Sequence, residues 1–161
     1  MIETRARRRS EVWMKQVLDE HRQLRLMIAE LREFLREPRP APGAKGAHTW
    51  SSGLAQWLVK LHDGLFRHFR YEEESGMAED ITLRHPRRSS EIERLIGEHP
   101  QMLAEIKMLM TEALDYSEGH LLDDPALRTR LEAVLDTLDA HERAETALVQ
   151  RAELQEVGVG D

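Results

Sequence analysis

Residues 54–72 read LAQWLVKLHDGLFRHFRYE. The large apolar side chains of this stretch recur at alternating steps of four and three, which predicts an α-helix with a single inward-facing stripe. These side chains are Leu54, Leu58, Leu61 and Leu65. The next two positions of the stripe are His68 and Glu72. Because a buried polar group without a partner costs about 2–7 kcal/mol, a hydrogen-bond network, an ion pair or a metal ion must satisfy this pair.

The composition favours a small all-α protein. The chain has 161 residues, a formal net charge of -7, eight histidines and no cysteine. We therefore expect one helical domain over residues 1–161, with a core at about 11–150, a basic lead-in before it and a frayed tail from Glu153. The acidic balance argues against nucleic acid as a partner, and without an apolar run of membrane length or a signal sequence we expect a cytoplasmic protein.

Four amphipathic helices joined by loops are predicted along the chain, which favours an up-and-down four-helix bundle with consecutive helices antiparallel. The first helix must stop near Pro38, the second ends around Ser75 and Gly76, and residues 77–88 are predicted to form a long loop with at most a turn of helix. The predicted caps and first turns are Ser10, Ser51 or Ser52, Ser90 and Pro125.

Each predicted helix carries one histidine on its apolar stripe, and two of the helices add a glutamate one turn later. The candidates are His21, His68, Glu72, His99, His141 and Glu145. A single inward histidine is more often a satisfied core residue than a ligand. Four imidazoles and two carboxylates at one level of a bundle are costly without a cation, which favours a metal site over a metal-free scaffold of paired side chains.

The number and kind of ligands narrow the choice of metal. Structural zinc takes four ligands, and magnesium and calcium prefer oxygen shells, whereas six mixed nitrogen and oxygen ligands suit two carboxylate-bridged iron ions. The pair His120 and Asp124 has similar spacing but lies on no apolar stripe, so we expect it at the surface together with His48, His62 and His85.

The two halves of the chain contain a similar sequence motif. Residues 20–24 read EHRQL and residues 98–102 read EHPQM, and each is followed some 40 residues later by His-x-x-x-Glu. This predicts two copies of one helix pair, related by a pseudo-twofold axis.

The full order of motifs resembles the haemerythrin-like HHE cation-binding family over residues 11 to 150. The matching motifs are His21, His-Phe-x-x-Glu-Glu at 68–73, Glu-His at 98–99 and His-x-x-x-Glu at 141–145. The resemblance implies a non-haem di-iron centre with a solvent-derived oxo or hydroxo bridge. It also implies that the four histidines are terminal ligands and that Glu72 and Glu145 bridge the irons.

Two departures from that family bear on function. Oxygen-carrying members have a further histidine one turn after the third-helix ligand, where this chain has Leu103, and their last carboxylate is an aspartate rather than Glu145. With four histidines we expect an open or water-filled position on each iron. We therefore expect a protein that binds or senses dioxygen, peroxide or nitric oxide rather than a plain oxygen carrier.

Other functions stay open at this stage. A di-iron enzyme that turns over peroxide or nitric oxide is one alternative, although no dedicated acid, base or substrate pocket stands out. An iron store or an iron sensor is the other alternative. Glu20, Glu73 and Glu98 adjoin candidate ligands and either accept their distal N–H groups or lie solvated on helix faces, while Tyr71 and Tyr116 are expected to pack.

Overall fold

The computed structural model describes residues 2–41, 43–117 and 126–157, and within them the chain forms five α-helices and no strand. These are α1 (Ile2–Arg36), α2 (Ala47–Glu74), α3 (Met77–Arg84), α4 (Ser89–Ser117) and α5 (Leu127–Val157), with a 3-10 turn at Pro86–Arg88. Helix α1 contacts α2 and α5, and α4 also contacts α2 and α5. The prediction of an all-α protein is confirmed.

Several helix ends differ from the predicted ones. Helix α1 already begins at Ile2, so Ser10 is a buried residue within it rather than a cap. Helix α2 begins after Gly46, which has a φ of 92°, and the Ser51 hydroxyl instead donates to the carbonyl of Ala47 at 3.0 Å. A serine hydroxyl often makes this local bond inside a helix, and a left-handed glycine makes a sharp turn possible.

The segment predicted as a loop at 77–88 is mostly helix α3 and its 3-10 turn. Met77 and Ile81 lie one turn apart and are both buried, so they anchor α3 against the core. The Trp13 indole N–H donates to Asp80 at 2.9 Å, which ties α3 to α1. Likewise, α4 begins at Ser89 with Ser90 inside it, and α5 extends past Glu153 to Val157.

The buried apolar side chains form two clusters. The small cluster is Trp13, Val17, Met77, Ile81, Ile92, Leu95, Leu148 and Val149. The large cluster contains most of the remaining aliphatic stripes, with Leu24 to Leu35 on α1, Leu54 to Leu65 on α2, Met102 to Ala113 on α4 and Leu127 to Leu138 on α5. His21, His99 and His141 each lie between the two clusters along their helices, and His68 lies near the end of the large cluster on α2, next to its last member, Phe69.

The order of the clusters alternates between the long helices. Helices α1 and α4 meet the small cluster before their histidine and the large cluster after it. Helix α5 contributes to the large cluster before His141 and to the small cluster after it, and α2 contributes to the large cluster as far as Phe69 and is followed by α3 in the small cluster. This alternation is what antiparallel consecutive helices require. A polar layer is thereby fixed at one height, with apolar packing above and below it.

The outer faces of the helices carry charged residues together with a few exposed apolar side chains, such as Leu26 on α1, which is 66% exposed. Within the described ranges, none of the helices has both the length and the apolar content that crossing a membrane demands.

Replacing Leu61 by alanine tests the role of the large cluster. Leu61 is 0% exposed, so removal of its side chain should lower the free energy of unfolding by about 2–5 kcal/mol. The matched control is Leu26→Ala on an exposed face, which should change it by less than about 0.5 kcal/mol. Urea denaturation of both variants measures the difference, and equal effects would contradict the described core.

Candidate metal centre

Seven buried polar side chains meet in the layer between the two apolar clusters. Each is at most 3% exposed: His21, His68, Glu72, His99, His141, Glu142 and Glu145. The structure thus brings together all six residues singled out in the sequence and adds Glu142. Helices α1, α2, α4 and α5 supply one histidine each, and the glutamates come from α2 and α5.

The first half of the layer is built around His21 and His68. The Nε2 atom of His21 lies 3.3 Å from Glu72 Oε1, and that of His68 lies 3.0 Å from the same oxygen. Glu142 places Oε2 3.3 Å from His21 Nε2 and Oε1 3.7 Å from His68 Nε2. His21, His68, Glu142 and Glu145 offer ligand atoms within 4.8 Å of one another, which is close enough to hold one metal ion.

The second half is built around His99 and His141. His99 Nε2 lies 3.4 Å from Glu72 Oε2 and 3.5 Å from Glu145 Oε1. His141 Nε2 lies 3.3 Å from Glu145 Oε1. His99, His141 and Glu145 form a second group whose ligand atoms lie within 4.8 Å of one another.

Glu72 and Glu145 each face both halves of the layer. Glu72 directs Oε1 to His21 and His68 and Oε2 to His99. Glu145 directs Oε2 to His21, at 3.4 Å, and Oε1 to His99 and His141. A carboxylate that presents one oxygen to each of two sites is arranged as a bridging ligand would be.

The outward nitrogen of every histidine also has a partner. The Nδ1 atoms of three rings lie 2.8 to 3.0 Å from a glutamate oxygen, and that of His21 lies 2.9 Å from the Thr146 hydroxyl. The three glutamate pairs are His68 with Glu20, His99 with Glu73 and His141 with Glu98. An Nδ1–H that donates outward leaves Nε2 as the free ring nitrogen that can face a metal ion.

These outer bonds connect the helices in a ring. Glu20 on α1 reaches α2, Glu73 on α2 reaches α4, Glu98 on α4 reaches α5, and Thr146 on α5 returns to α1. In each case the acceptor is the chain neighbour of a residue in the layer. One helix therefore both contributes to the layer and orients the imidazole of the next helix.

The sequence analysis did not predict Glu142, because the buried face of α5 is wider than the single apolar stripe that includes His141. The four-three stripe that includes His141 passes through Val134, which is only half-buried, whereas the neighbouring Leu135 is fully buried. A second stripe of Leu131, Leu135, Leu138, Glu142, Glu145 and Val149 has the same four-three spacing. This second stripe is the sequence feature that predicts a buried position for Glu142.

The remaining candidates lie outside the layer or outside the described residues. His48 and His62 lie on α2, with the His62 ring beside Asp63, and His85 lies between α3 and the 3-10 turn. The half-buried Tyr71 packs against the small cluster as expected. The side chain of Tyr116 and the pair His120 and Asp124 lie outside the described residues.

Many buried polar atoms of the layer have no hydrogen-bond partner within the described part of the chain. They are Nε2 of His68, His99 and His141, Oε2 of Glu72, and both oxygens of Glu142 and Glu145. Leaving such atoms unsatisfied is costly and rare in proteins. All of them face one another across the layer, and imidazole nitrogen with carboxylate oxygen is a donor set that suits a transition-metal ion. The residues present therefore fit bound metal.

Without metal, protons are the cations available to this layer. Burial lowers the pKa of His21 and His68, but the neighbouring carboxylates, Glu145 and Glu72 beside His21 and Glu20 and Glu72 beside His68, favour the protonated rings and outweigh burial. The net result raises these pKa values to about 9 and about 10. Burial raises the pKa of Glu142 to about 7, against the lowering effect of the two rings. The layer thus attracts positive charge.

The fold and the layer together define an all-helical protein with a buried histidine and carboxylate metal-binding site. Residues 14–152 match the Hemerythrin HHE cation binding domain family. No curated protein and no solved structure matches the chain significantly. The chain belongs to the Hemerythrin HHE cation binding domain family, as the motif order predicted, and this family binds metal cations.

The raised histidine pKa values predict how the metal-free protein responds to pH. Because the folded state holds these protons more tightly than the unfolded state, its extra stability is present below pH 6.5 and is lost as the pH rises through about 9 and about 10. We expect the free energy of unfolding of chelator-treated protein to fall by on the order of a few kcal/mol over this range.

Urea denaturation between neutral and alkaline pH measures this fall. Metal-loaded protein is the matched control, because metal and protons compete for the same nitrogens and metal affinity should rise with pH. A metal-free protein whose stability increases over the same range would contradict protonated rings in the layer.

Proposed function

We propose that the layer holds two iron ions and that the protein binds or senses dioxygen or a related oxidant there. The observation that carries this proposal is that the two oxygens of each central carboxylate face different halves of the layer. Glu72 and Glu145 each aim one oxygen at the His21 and His68 half and the other at the His99 and His141 half. A single ion could not be coordinated by two separated pairs of imidazoles, whereas each of two bridged ions could be coordinated by one pair.

The proposed ligands are the six residues expected from the sequence, and the two glutamates among them are the proposed bridges. His21 and His68 would hold one iron, His99 and His141 would hold the other, and Glu72 and Glu145 would each offer one oxygen to both irons. Iron is preferred because the chain has no cysteine to form a thiolate site, and mixed imidazole and carboxylate shells in helix bundles typically hold iron or manganese pairs.

We also propose the finer architecture predicted from the sequence, an up-and-down four-helix bundle with a pseudo-twofold repeat. The alternating order of the apolar clusters supports the antiparallel topology. The closed ring of outer hydrogen bonds supports the repeat, since Glu20 and Glu98 make equivalent bonds to the histidine of the next helix in the ring.

When bound, the iron pair would supply reversible one- and two-electron chemistry toward small oxidants. The chain's own contribution is to fix the four imidazoles through their Nδ1–H donors and to keep bulk water away from the layer. His21, Glu72 and Glu142 are each 0% exposed, so only a small ligand such as dioxygen, peroxide or nitric oxide could reach them without large rearrangement. A cytoplasmic location and the absence of a nucleic-acid partner stay predictions.

Anaerobic loading with ferrous iron tests the proposal. We expect two irons per chain by elemental analysis, and air exposure should produce the near-ultraviolet absorption of a bridged ferric pair. If the spectrum reverses when oxygen is removed, the protein binds oxygen as a carrier or sensor. Immediate irreversible oxidation with catalysed loss of peroxide would instead identify an enzyme, and iron binding without any oxidant response would favour iron storage or sensing.

Removing a bridge tests the assignment of Glu72 and Glu145. Glu72→Ala and Glu145→Ala should each lower the iron content below two per chain, because both metal positions lose an oxygen donor. His62→Ala is the matched control, since its ring lies beside Asp63 outside the layer, and it should retain both irons. Two irons in either glutamate variant would contradict the bridging role.

A further inference from the structure

The two halves of the layer differ at one position. On α2 the residue after His68 is Phe69, and on α5 the residue after His141 is Glu142. Each of these residues lies three positions before a central carboxylate, Glu72 or Glu145. The repeated motif therefore carries an apolar ring in one copy and a carboxylate in the other.

Glu142 faces the half that contains His21 and His68. Its two oxygens lie 3.3 Å from His21 Nε2 and 3.7 Å from His68 Nε2, and its side chain is 0% exposed. Neither oxygen has a hydrogen-bond partner among the residues that the structure describes. A buried carboxylate that avoids every protein donor and points at two imidazole nitrogens is placed for a cation between them.

Phe69 faces the opposite half. Its ring stacks on the His99 ring with centroids 3.9 Å apart and planes inclined by 6°, and its centroid is 5.6 Å from that of His141. Phe69 is 1% exposed, so the phenyl ring fills the space beside these imidazoles. It offers no donor atom to a metal ion.

The two metal positions consequently have different sets of donors. The position beside His21 and His68 can take two imidazoles, one oxygen each from Glu72 and Glu145, and Glu142. The position beside His99 and His141 can take two imidazoles and one oxygen from each shared carboxylate. If each ion is six-coordinate and a solvent-derived atom bridges the pair, the first position is full and the second keeps one place for an external ligand.

We propose that Glu142 is a ligand of the ion beside His21 and His68, and that it directs external ligands to the other ion, beside His99, His141 and Phe69. This inference rests on the proposed two-iron centre and replaces the expectation of an open position on each iron. Glu142 thereby determines where a small anion or oxidant binds, and Phe69 gives that place an apolar wall.

The outer hydrogen bonds of the two halves are unequal in the opposite sense. His99 and His141 each have a glutamate partner at Nδ1, whereas His21 has the neutral hydroxyl of Thr146. The half with the extra inner carboxylate therefore has one outer carboxylate fewer. Glu142 supplies at the metal position the negative charge that Thr146 does not supply behind His21.

Azide titration of the ferric protein tests the proposal, with iron content and Mössbauer spectra of protein loaded with iron-57 as further readouts. We expect wild type to hold two irons that give two distinct quadrupole doublets, to bind one azide per chain and to shift only one doublet. Two azides per chain, or equal shifts of both doublets, would overturn the proposal while leaving the two-iron centre intact.

Glu142→Leu removes the carboxylate with little change of volume. It should either let a second azide bind or reduce the occupancy of one iron by about tenfold or more at limiting iron, with the other doublet unchanged. Phe69→Leu is the matched control at the equivalent position, and it should keep both irons and one azide, with only the azide affinity altered.

Glu142→Gln provides a second variant that keeps the shape of the side chain, should the leucine variant fail to fold. It should change the isomer shift or quadrupole splitting of one doublet alone. Unchanged spectra and azide stoichiometry in a folded Glu142 variant would exclude Glu142 as a ligand. Wild-type protein that takes up no iron pair would instead refute the proposed function on which this inference rests.

Discussion

Burial of ionisable side chains against one another is the constraint on which this structure depends. Seven imidazoles and carboxylates are held at one height between two apolar clusters, where most of their inner atoms have no hydrogen-bond partner among the described residues. The apolar packing that removes water from the layer also makes the layer attract cations strongly. Protons fill this role in the metal-free protein, and metal ions fill it when they are bound.

The orientation of the imidazoles comes from outside the layer. Three glutamates and Thr146 accept from the outward ring nitrogens, and each is the chain neighbour of a layer residue on an adjacent helix. A rotation of one helix would therefore disturb both its own ligand and the partner of the next ligand. This coupling explains how long helices, whose packing tolerates small shifts, can hold a site that needs accurate geometry.

The sequence predicted the layer because helical periodicity places residues at steps of three and four on one face. His21, His68, His99 and His141 continued aliphatic stripes and are all buried. The same reasoning failed for Glu142, because α5 is buried over a wider arc than one stripe and an acidic residue beside a ligand resembles an exposed one. Helix starts at Ser10 and Ser51 were also wrong, since local capping preferences were outweighed by the continued burial of both residues within longer helices.

Anomalous diffraction from crystals grown with ferrous iron tests the central claim most directly. The account predicts two peaks per chain at the iron edge, about 3.5–4 Å apart, one between His21 and His68 and the other between His99 and His141. A single peak in the layer, or iron bound only at the protein surface, would contradict it.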